Sequence, residues 1–316
     1  MMARLGLGAR LGAGIGSMMR AGLRAVSRYT GTLFAMFVAQ SVIAGGCILG
    51  AWLVLAQAFS HLAMFDEAVD GDLVALIDCV RSGRPSLVAA GGLVFGAVVL
   101  WQLAAWFLVG GLNGVLARRP EGRGDTVRCF GAAGAATYLK YARLALCSLP
   151  GWIIALFVFG TGLSFAAPRI EYALSVPDLI APLAVSLLPA LILIHAMWTI
   201  TDYARAELTL RHDSHDPGVL ATYLRSVRFV VGRPVTLLHG ALGWLVFALV
   251  TAAYAYLAQG HPMYGAQGAL LLFVIRQGVA LLRMAIRLGI VAGQLELGRT
   301  RPPPPRRIVV EADPKR

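Results

Sequence analysis

The sequence predicts an all-α polytopic membrane protein, a bundle of six transmembrane helices with amphipathic helices at the membrane surface. Composition is the first indication: the 316 residues are 58% hydrophobic and 14% charged, whereas a soluble domain carries about 25% charge. The mean hydropathy of +0.71 is the second. The third is that the apolar residues form runs of about 20 or more, enough to cross a hydrocarbon core of about 30 Å. These features exclude a soluble globular protein, a disordered chain and a coiled coil.

Six apolar runs are the predicted spans. Each must be helical, because backbone donors and acceptors inside lipid find no water and have to pair within their own segment. We therefore expect no strands. The predicted spans cover residues 30–60, 86–116, 144–167, 179–201, 235–259 and 267–287.

Lys and Arg are distributed unevenly between the loops. Of the 28, only Arg81, Arg84 and Arg169 lie in loops on one side of the predicted membrane, and three more belong to the sixth run. All the others lie in the N-terminal segment, the second and fourth loops and the C-terminal tail. Because cytoplasmic loops retain positive charge, both termini are predicted to be cytoplasmic. An even number of spans agrees with this arrangement, because it places both termini on the same side.

Three regions follow from this division. Residues 1–29 are a cationic segment, residues 30–297 the six-span transmembrane domain, and residues 298–316 a tail rich in Pro and Arg. Four consecutive prolines in the tail exclude a helix and favour extended polyproline II, so we expect a disordered cytoplasmic tail. The alternative is a polyproline segment that docks on a partner.

The segment 1–29 contains five Arg and no acid. Arg20, Arg24 and Arg28 are four residues apart on one helical face, which is typical of an amphipathic helix that lies on anionic lipids of the inner leaflet. The alternative interpretation is a mitochondrial transit peptide.

Two inner loops are each predicted to contain an amphipathic helix between the descending and the ascending span. The first helix opens at Asp125, and the third span then begins separately at about residue 144. The second is opened by Asp216 as its N-terminal cap, with Pro217 in its first turn. Both helices are expected to run along the inner membrane surface.

The sixth predicted span carries a stripe of arginine. Arg276, Arg283 and Arg287 lie within about 40° of one face at 100° per residue, and Gln294 continues the stripe. Arg276 is near the membrane midplane, where an ionisable group normally faces a bundle interior or a wet cavity. No Asp or Glu lies in the middle of a span to pair with it. The open alternatives for its partner are Gln40, Gln102, His195, a backbone carbonyl, or a bound anion or lipid headgroup.

Two acids lie at the inner end of the fourth predicted span, on the same side of the membrane as Arg283 and Arg287 of the sixth. Asp202 and Glu207 flank Arg205 there. We expect Asp202 to pair with an arginine and to hold the fourth and sixth spans together. A proton or ion gate is the alternative. The candidate anion, lipid or structural polar site therefore comprises these residues: Arg276, Arg283, Arg287, Asp202, Arg205 and His195.

Glycines recur at a spacing of four. Small residues at this spacing let helices approach closely in lipid, so we expect packing within the chain or between copies. The pairs are Gly46 with Gly50, Gly92 with Gly96, Gly110 with Gly114, and Gly289 with Gly293.

Motifs of known chemistry are missing from the sequence. It contains no nucleophile elbow, phosphate-binding loop, paired intramembrane carboxylates or zinc-protease motif. The basic segments also lack the interleaved aromatic residues typical of nucleic-acid binding. We therefore expect no enzyme activity, no cofactor, no metal and no nucleic-acid partner.

Residues of the inner loops carry a resemblance to a known family. Short motifs such as Phe107 with Gly110 and Gly111, Phe130 with Tyr138 and Arg143, the run Thr201 to Arg205, and Arg228 with Arg233 and Pro234 resemble an uncharacterised family of bacterial six-helix membrane proteins. The chain is more distantly similar to the membrane domain of glycerophosphodiester phosphodiesterases, without their soluble catalytic domain. The resemblance implies a bacterial inner-membrane location and no established reaction.

Two functions are compatible with these features. A non-catalytic scaffold or partner subunit of a membrane assembly is favoured, because packing motifs are plentiful and site chemistry is sparse. The alternative is a transporter or lipid-handling protein with an anion site around Arg276. The expected partners are the lipid bilayer, anionic lipids of the inner leaflet, and either another membrane protein or further copies of the chain.

Overall fold

The computed structural model describes residues 7–59, 67, 82–171, 176–211, 218–260 and 266–299. Within these residues the chain forms eight α-helices and no strand, which confirms the predicted all-helical class. The helices are α1 (Leu7–Arg28), α2 (Thr30–Phe59), α3 (Arg84–Arg118), α4 (Arg123–Glu171), α5 (Val176–Leu210), α6 (Val219–Val231), α7 (Pro234–Gly260) and α8 (Ala266–Arg299).

Five helices are long and apolar enough to cross a membrane, which makes the chain a multi-pass membrane protein. The five candidate spans are Thr30–Gln57, Arg84–Arg118, Arg123–Pro168, Ala181–Leu210 and Pro234–Tyr256. They do not include α8, whose apolar part carries Arg276, Arg283 and Arg287. The sixth span therefore stays a prediction. The tail beyond Arg299 lies outside the described residues.

The helix α4 corrects one prediction about the inner loops. A separate amphipathic helix opening at Asp125 was expected before the third span, but the structure has one continuous helix of 49 residues. At 1.5 Å per residue it is about 74 Å long, more than twice the thickness of a hydrocarbon core. No proline interrupts the stretch between Asp125 and Leu144, so the backbone hydrogen bonds continue unbroken into the apolar part.

The second inner loop does contain a separate helix, α6. It begins at Val219 with Gly218 at its N-terminal cap and ends at Val231 with Gly232 at its C-terminal cap. The predicted cap Asp216 and first-turn Pro217 lie outside the described residues. Pro234 then opens α7, at a position where a proline needs no hydrogen-bonded N–H.

The helices α3 and α4 pack closely through the predicted glycine pair. A Cβ at Gly110 would collide with the hydroxyl group of Thr137, and one at Gly114 would collide with Ala133. The edge of Phe107 meets Phe130 across the same contact, with ring centroids 6.0 Å apart. Gly110 and Gly114 therefore allow the approach of these two helices.

A second close contact joins α1 to α8. A Cβ at Gly22 would lie 2.8 Å from the carbonyl oxygen of Gly289. One turn further on, a Cβ at Gly293 would lie 2.7 Å from His239 of α7 and 3.0 Å from Met18 of α1. Gly289 and Gly293 thus pack within the chain, as their spacing predicted.

The other two glycine pairs are not packed tightly by the described residues. No described atom lies within 4 Å of a Cβ built at Gly46, Gly92 or Gly96, and Leu93 only touches the position at Gly50, at 3.9 Å. Packing within the chain therefore accounts for two of the four pairs.

The packed core lies at one end of the bundle. Fully buried side chains occur late in α3, α5 and α8 and in the first half of α4: Val115, Tyr141, Leu144, Leu208, Gln294 and Leu295. The opposite halves of the helices expose large apolar residues, among them Phe95 of α3 and Phe157 of α4. In a multi-pass membrane protein such surface faces lipid. The core is therefore at the end where the charge bias predicts the cytoplasm.

Candidate functional site

The centre of the packed end is an ion pair between α5 and α8. Arg287 donates from Nη1 to Oδ2 of Asp202 and from Nη2 to Oδ1, at 2.6 Å each. Asp202 is buried, and 38% of the Arg287 side chain is exposed. The predicted pairing of Asp202 with an arginine of the last helix is therefore present. A planar guanidinium meeting both oxygens fixes the relative orientation of the two helices.

Arg205 is a second cation beside the same carboxylate. Its Nη1 lies 3.5 Å from Oδ1 of Asp202, one turn earlier on α5. Its guanidinium carbon lies 5.8 Å from the ring centroid of Tyr141, a cation–π contact that covers its other side. Asp202 thus neutralises one of two neighbouring arginines, and the aromatic ring supports the other.

Tyr141 joins three helices through its hydroxyl group. Asn113 of α3 donates from Nδ2 to this hydroxyl at 2.8 Å, and Thr209 of α5 places its own hydroxyl 2.7 Å away. Both hydroxyls lie within hydrogen-bond distance of the Arg205 carbonyl oxygen. Sequence reasoning missed this cluster. The one indication of this cluster in the sequence was Asn113, a polar residue inside the run GGLNGVL. The structure shows that Asn113 is buried.

Glu207 forms a further buried ion pair with the short helix α6. Its Oε1 lies 3.2 Å from Nη2 of Arg225 and 3.7 Å from Nε of Arg211. Only 4% of the Glu207 side chain is exposed. The pair anchors α6 to the end of α5, so the charges here hold the helices together.

Arginine also joins the ends of α3 and α8. Glu296 accepts hydrogen bonds from Arg119 at 2.9 Å and from Arg299 at 3.0 Å. Arg299 donates in turn to the carbonyl oxygens of Leu116 and Ala117. These carbonyls are at the C-terminus of α3, where helical partners run out, and a cation there is favourable.

The structure separates the six residues of the predicted site. Asp202, Arg205 and Arg287 come together, whereas His195 donates from Nε2 to the carbonyl oxygen of Leu237 on α7, at 3.0 Å. Because His195 is engaged there, it is not the partner of Arg276 that one alternative proposed.

The other two arginines of the stripe have different surroundings. Arg283 lies over the ring of Phe247, with 5.5 Å between its guanidinium carbon and the ring centroid. Arg276 is exposed and makes no hydrogen bond or ion pair with any described residue. Gln40 and Gln102 therefore do not satisfy it. Arg276 and Gln294 share a helical face, but Gln294 is buried and Arg276 is not.

A row of aromatic rings joins three helices, α4, α5 and α7, and ends at an arginine of α8. The rings of Trp198 and Trp244 stack with centroids 5.1 Å apart, and Trp152 meets the edge of Trp198 at 6.5 Å. Phe247 continues the row from Trp244, and Arg283 ends it. All four aromatic residues lie within candidate spans, so the row is a contact between spans.

An open groove of about 530 Å³ lies between α5 and α7. Leu191, Ile192 and His195 line it from α5, and Leu237 and Leu238 from α7. No charged side chain lines this groove, and the ring of His195 is already bonded. It can receive apolar groups, but it offers no catalytic residue.

Comparisons with protein-family models, with curated proteins and with solved structures find no match to this chain. The resemblance to bacterial six-helix membrane proteins therefore stays a prediction.

Proposed function

We propose that the chain is a non-catalytic partner subunit or scaffold of a membrane assembly. One contrast carries the proposal. The two buried carboxylates of the described residues, Asp202 and Glu207, are held by arginines and join helices to each other. Arg276, by contrast, is exposed and has no partner within the described residues. The two buried carboxylates stabilise the fold, whereas Arg276 is available to another molecule.

The proposal places six spans in a bacterial inner membrane, with both termini in the cytoplasm. Two contacts of α8 support the sixth span. A Cβ built on Gly243 of α7 would collide with the side chain of Ile290. The guanidinium group of Arg283 lies over the ring of Phe247. From the first contact to the second, the position moves forward along α7, from Gly243 to Phe247, and backward along α8, from Ile290 to Arg283. The helix α8 therefore runs antiparallel to α7, which is a candidate span. With six spans, the Arg-rich segments all lie on one side, as the positive-inside rule requires.

The exposed side of α1 supports binding to anionic lipids of the inner leaflet. Arg20 and Arg24 are exposed on this helix, and the neighbouring Met19 and Leu23 are 51% and 71% exposed. The opposite side of α1 packs on α8 through Gly22. A helix with adjacent basic and apolar exposed strips can place arginines among headgroups and leucines among acyl chains.

Transport or lipid handling is the alternative function. It requires a polar cavity in which Arg276 converges with other polar groups. Within the described part of the chain, Arg287 forms an ion pair with Asp202. The groove beside His195 is lined by apolar side chains. These contacts favour the partner subunit over an anion site.

The experiment is purification of the tagged chain in native lipid, followed by mass spectrometry of everything that stays bound. A protein in stoichiometric amount, missing from a parallel purification of an unrelated six-span protein, is the expected result. Recovery of the chain alone with one enriched lipid or small anion would contradict the scaffold and favour the alternative.

A further inference from the structure

The first half of α8 combines exposed apolar side chains with an exposed arginine. Leu270, Phe273 and Val274 are each more than half exposed, and Arg276 is exposed beside them. The second half of the same helix packs against α1, α5 and α7. The exposed half is therefore a surface that the described residues leave uncovered.

The depth of Arg276 makes that surface unusual. Arg276 is ten residues after the start of α8, about 15 Å, and seven residues before Arg283, about 10 Å. Apolar runs flank Arg276 on both sides in α8, so Arg276 lies within the apolar part of this helix. A guanidinium at this depth is costly unless it is paired. Its Cα–Cβ bond also points toward the start of the helix, away from the inner headgroups.

We propose that the exposed first half of α8 docks a transmembrane helix of a different membrane protein, and that Arg276 pairs with an Asp or Glu of that helix. The inference rests on the proposed function as a partner subunit. Charge complementarity identifies the occupant, because a carboxylate satisfies a guanidinium with two hydrogen bonds.

A second copy of this chain does not supply the carboxylate. None of its 16 acids lies in the apolar part of a predicted span. Two acids adjoin the predicted fourth span, Asp178 before its outer end and Asp202 after its inner end, and Asp202 is already bound by Arg287. The partner helix must therefore come from another protein.

The test uses the full chain, reconstituted in neutral phosphatidylcholine vesicles, and synthetic polyleucine transmembrane peptides. Three peptides carry Glu, Gln or Leu at the central position, and energy transfer between labels on chain and peptide reports binding. We expect the Glu peptide to bind roughly tenfold more tightly than the Leu peptide. The variant Arg276→Gln should lose this preference. Arg283→Gln removes the same charge seven residues away and should keep it.

Three results would overturn the proposal: equal binding of the three peptides, a preference that survives Arg276→Gln, or a preference abolished by a small fraction of phosphatidylglycerol. The last result would make a lipid headgroup the occupant. Arg276→Gln should fold normally, because Arg276 makes no bond to the described residues. A melting temperature equal to that of the unmodified chain checks this point.

Native-lipid purification of Arg276→Gln separates this inference from the proposed function. Loss of a stoichiometric partner that the unmodified chain retains supports docking at Arg276. A partner that stays bound to the variant overturns the docking site and leaves the subunit role intact. A chain that retains no protein even when unmodified overturns the proposed function itself.

Discussion

Arg287 and Asp202 form a two-point ion pair, in which each terminal nitrogen of the arginine lies 2.6 Å from a different carboxylate oxygen. The pair joins α8 to α5 at the packed end of the bundle. Because Arg205 approaches the same carboxylate, Asp202 is the one anion that compensates two neighbouring cations here. Asp202 is therefore the carboxyl group through which α5 holds Arg287 of α8.

The first prediction concerns removal of that charge. Asp202→Asn leaves Arg287 and Arg205 facing each other without an anion, and it should lower the free energy of unfolding by about 2 kcal/mol. This value is below that of a fully buried pair, because 38% of the Arg287 side chain is exposed. Denaturation of the purified protein in mixed micelles measures the change.

The matched control for Asp202 is Glu296→Gln. This substitution removes an anion that pairs near the surface with Arg119 and Arg299, and it should cost about 1 kcal/mol or less. The double variant Asp202→Asn with Arg287→Gln should be more stable than the sum of the two single losses predicts. Strict additivity would mean that the pair does not couple the helices.

The second prediction concerns the crossing of α1 and α8. Gly22→Ala places a methyl group 2.8 Å from the backbone oxygen of Gly289, which has no flexible side chain to move aside. We expect a loss of about 1–3 kcal/mol and earlier detachment of α1, seen as faster proteolysis of the N-terminal segment. Gly16→Ala on the same helix meets no described atom within 4 Å and should be neutral or slightly stabilising. Equal behaviour of the two variants would contradict the contact.

The third prediction concerns the hydroxyl group of Tyr141. Tyr141→Phe keeps the ring but leaves the buried Nδ2 of Asn113 without its acceptor, so it should cost about 1–3 kcal/mol. Tyr138→Phe is the control. Its ring meets the edge of Trp106, and its hydroxyl makes no hydrogen bond to a described residue. Thermal unfolding followed by tryptophan fluorescence should separate the two variants. A melting point unchanged by Tyr141→Phe would rule out a stabilising role for the cluster.

Hydropathy alone predicts most of the fold, for a simple physical reason. In lipid each segment must satisfy its own backbone, so an apolar run of sufficient length is a helix whatever its neighbours are. The same pattern does not locate where a helix begins or ends. The third span was expected to begin at about residue 144, yet α4 begins at Arg123. Charge at Lys140 and Arg143 marks where a segment leaves lipid, and a helix continues through such residues without difficulty.

Partners inside the polar cluster depend on packing between distant segments. The sequence predicted that Asp202 pairs with an arginine, but Arg283 and Arg287 lie on the same face of α8. Only the relative height of α5 and α8 decides between them. The exposure of Arg276 follows from the same cause. Its face is buried near Gln294 and open eighteen residues earlier, and one-dimensional periodicity contains no signal for that change.

The last prediction concerns the topology, for which the number of spans and the position of the termini are linked. In a variant whose four native cysteines are replaced, single cysteines at Ala3, Glu121 and Asp313 should be protected from a membrane-impermeant maleimide in intact cells. A cysteine at Ser82 should be labelled. The reason is that the arginines flanking Glu121 and both termini hold these segments in the cytoplasm. After permeabilisation all four positions should react, which controls for burial. If Asp313→Cys were labelled in intact cells while Ala3→Cys was not, the number of spans would be odd, and α8 would not cross the membrane.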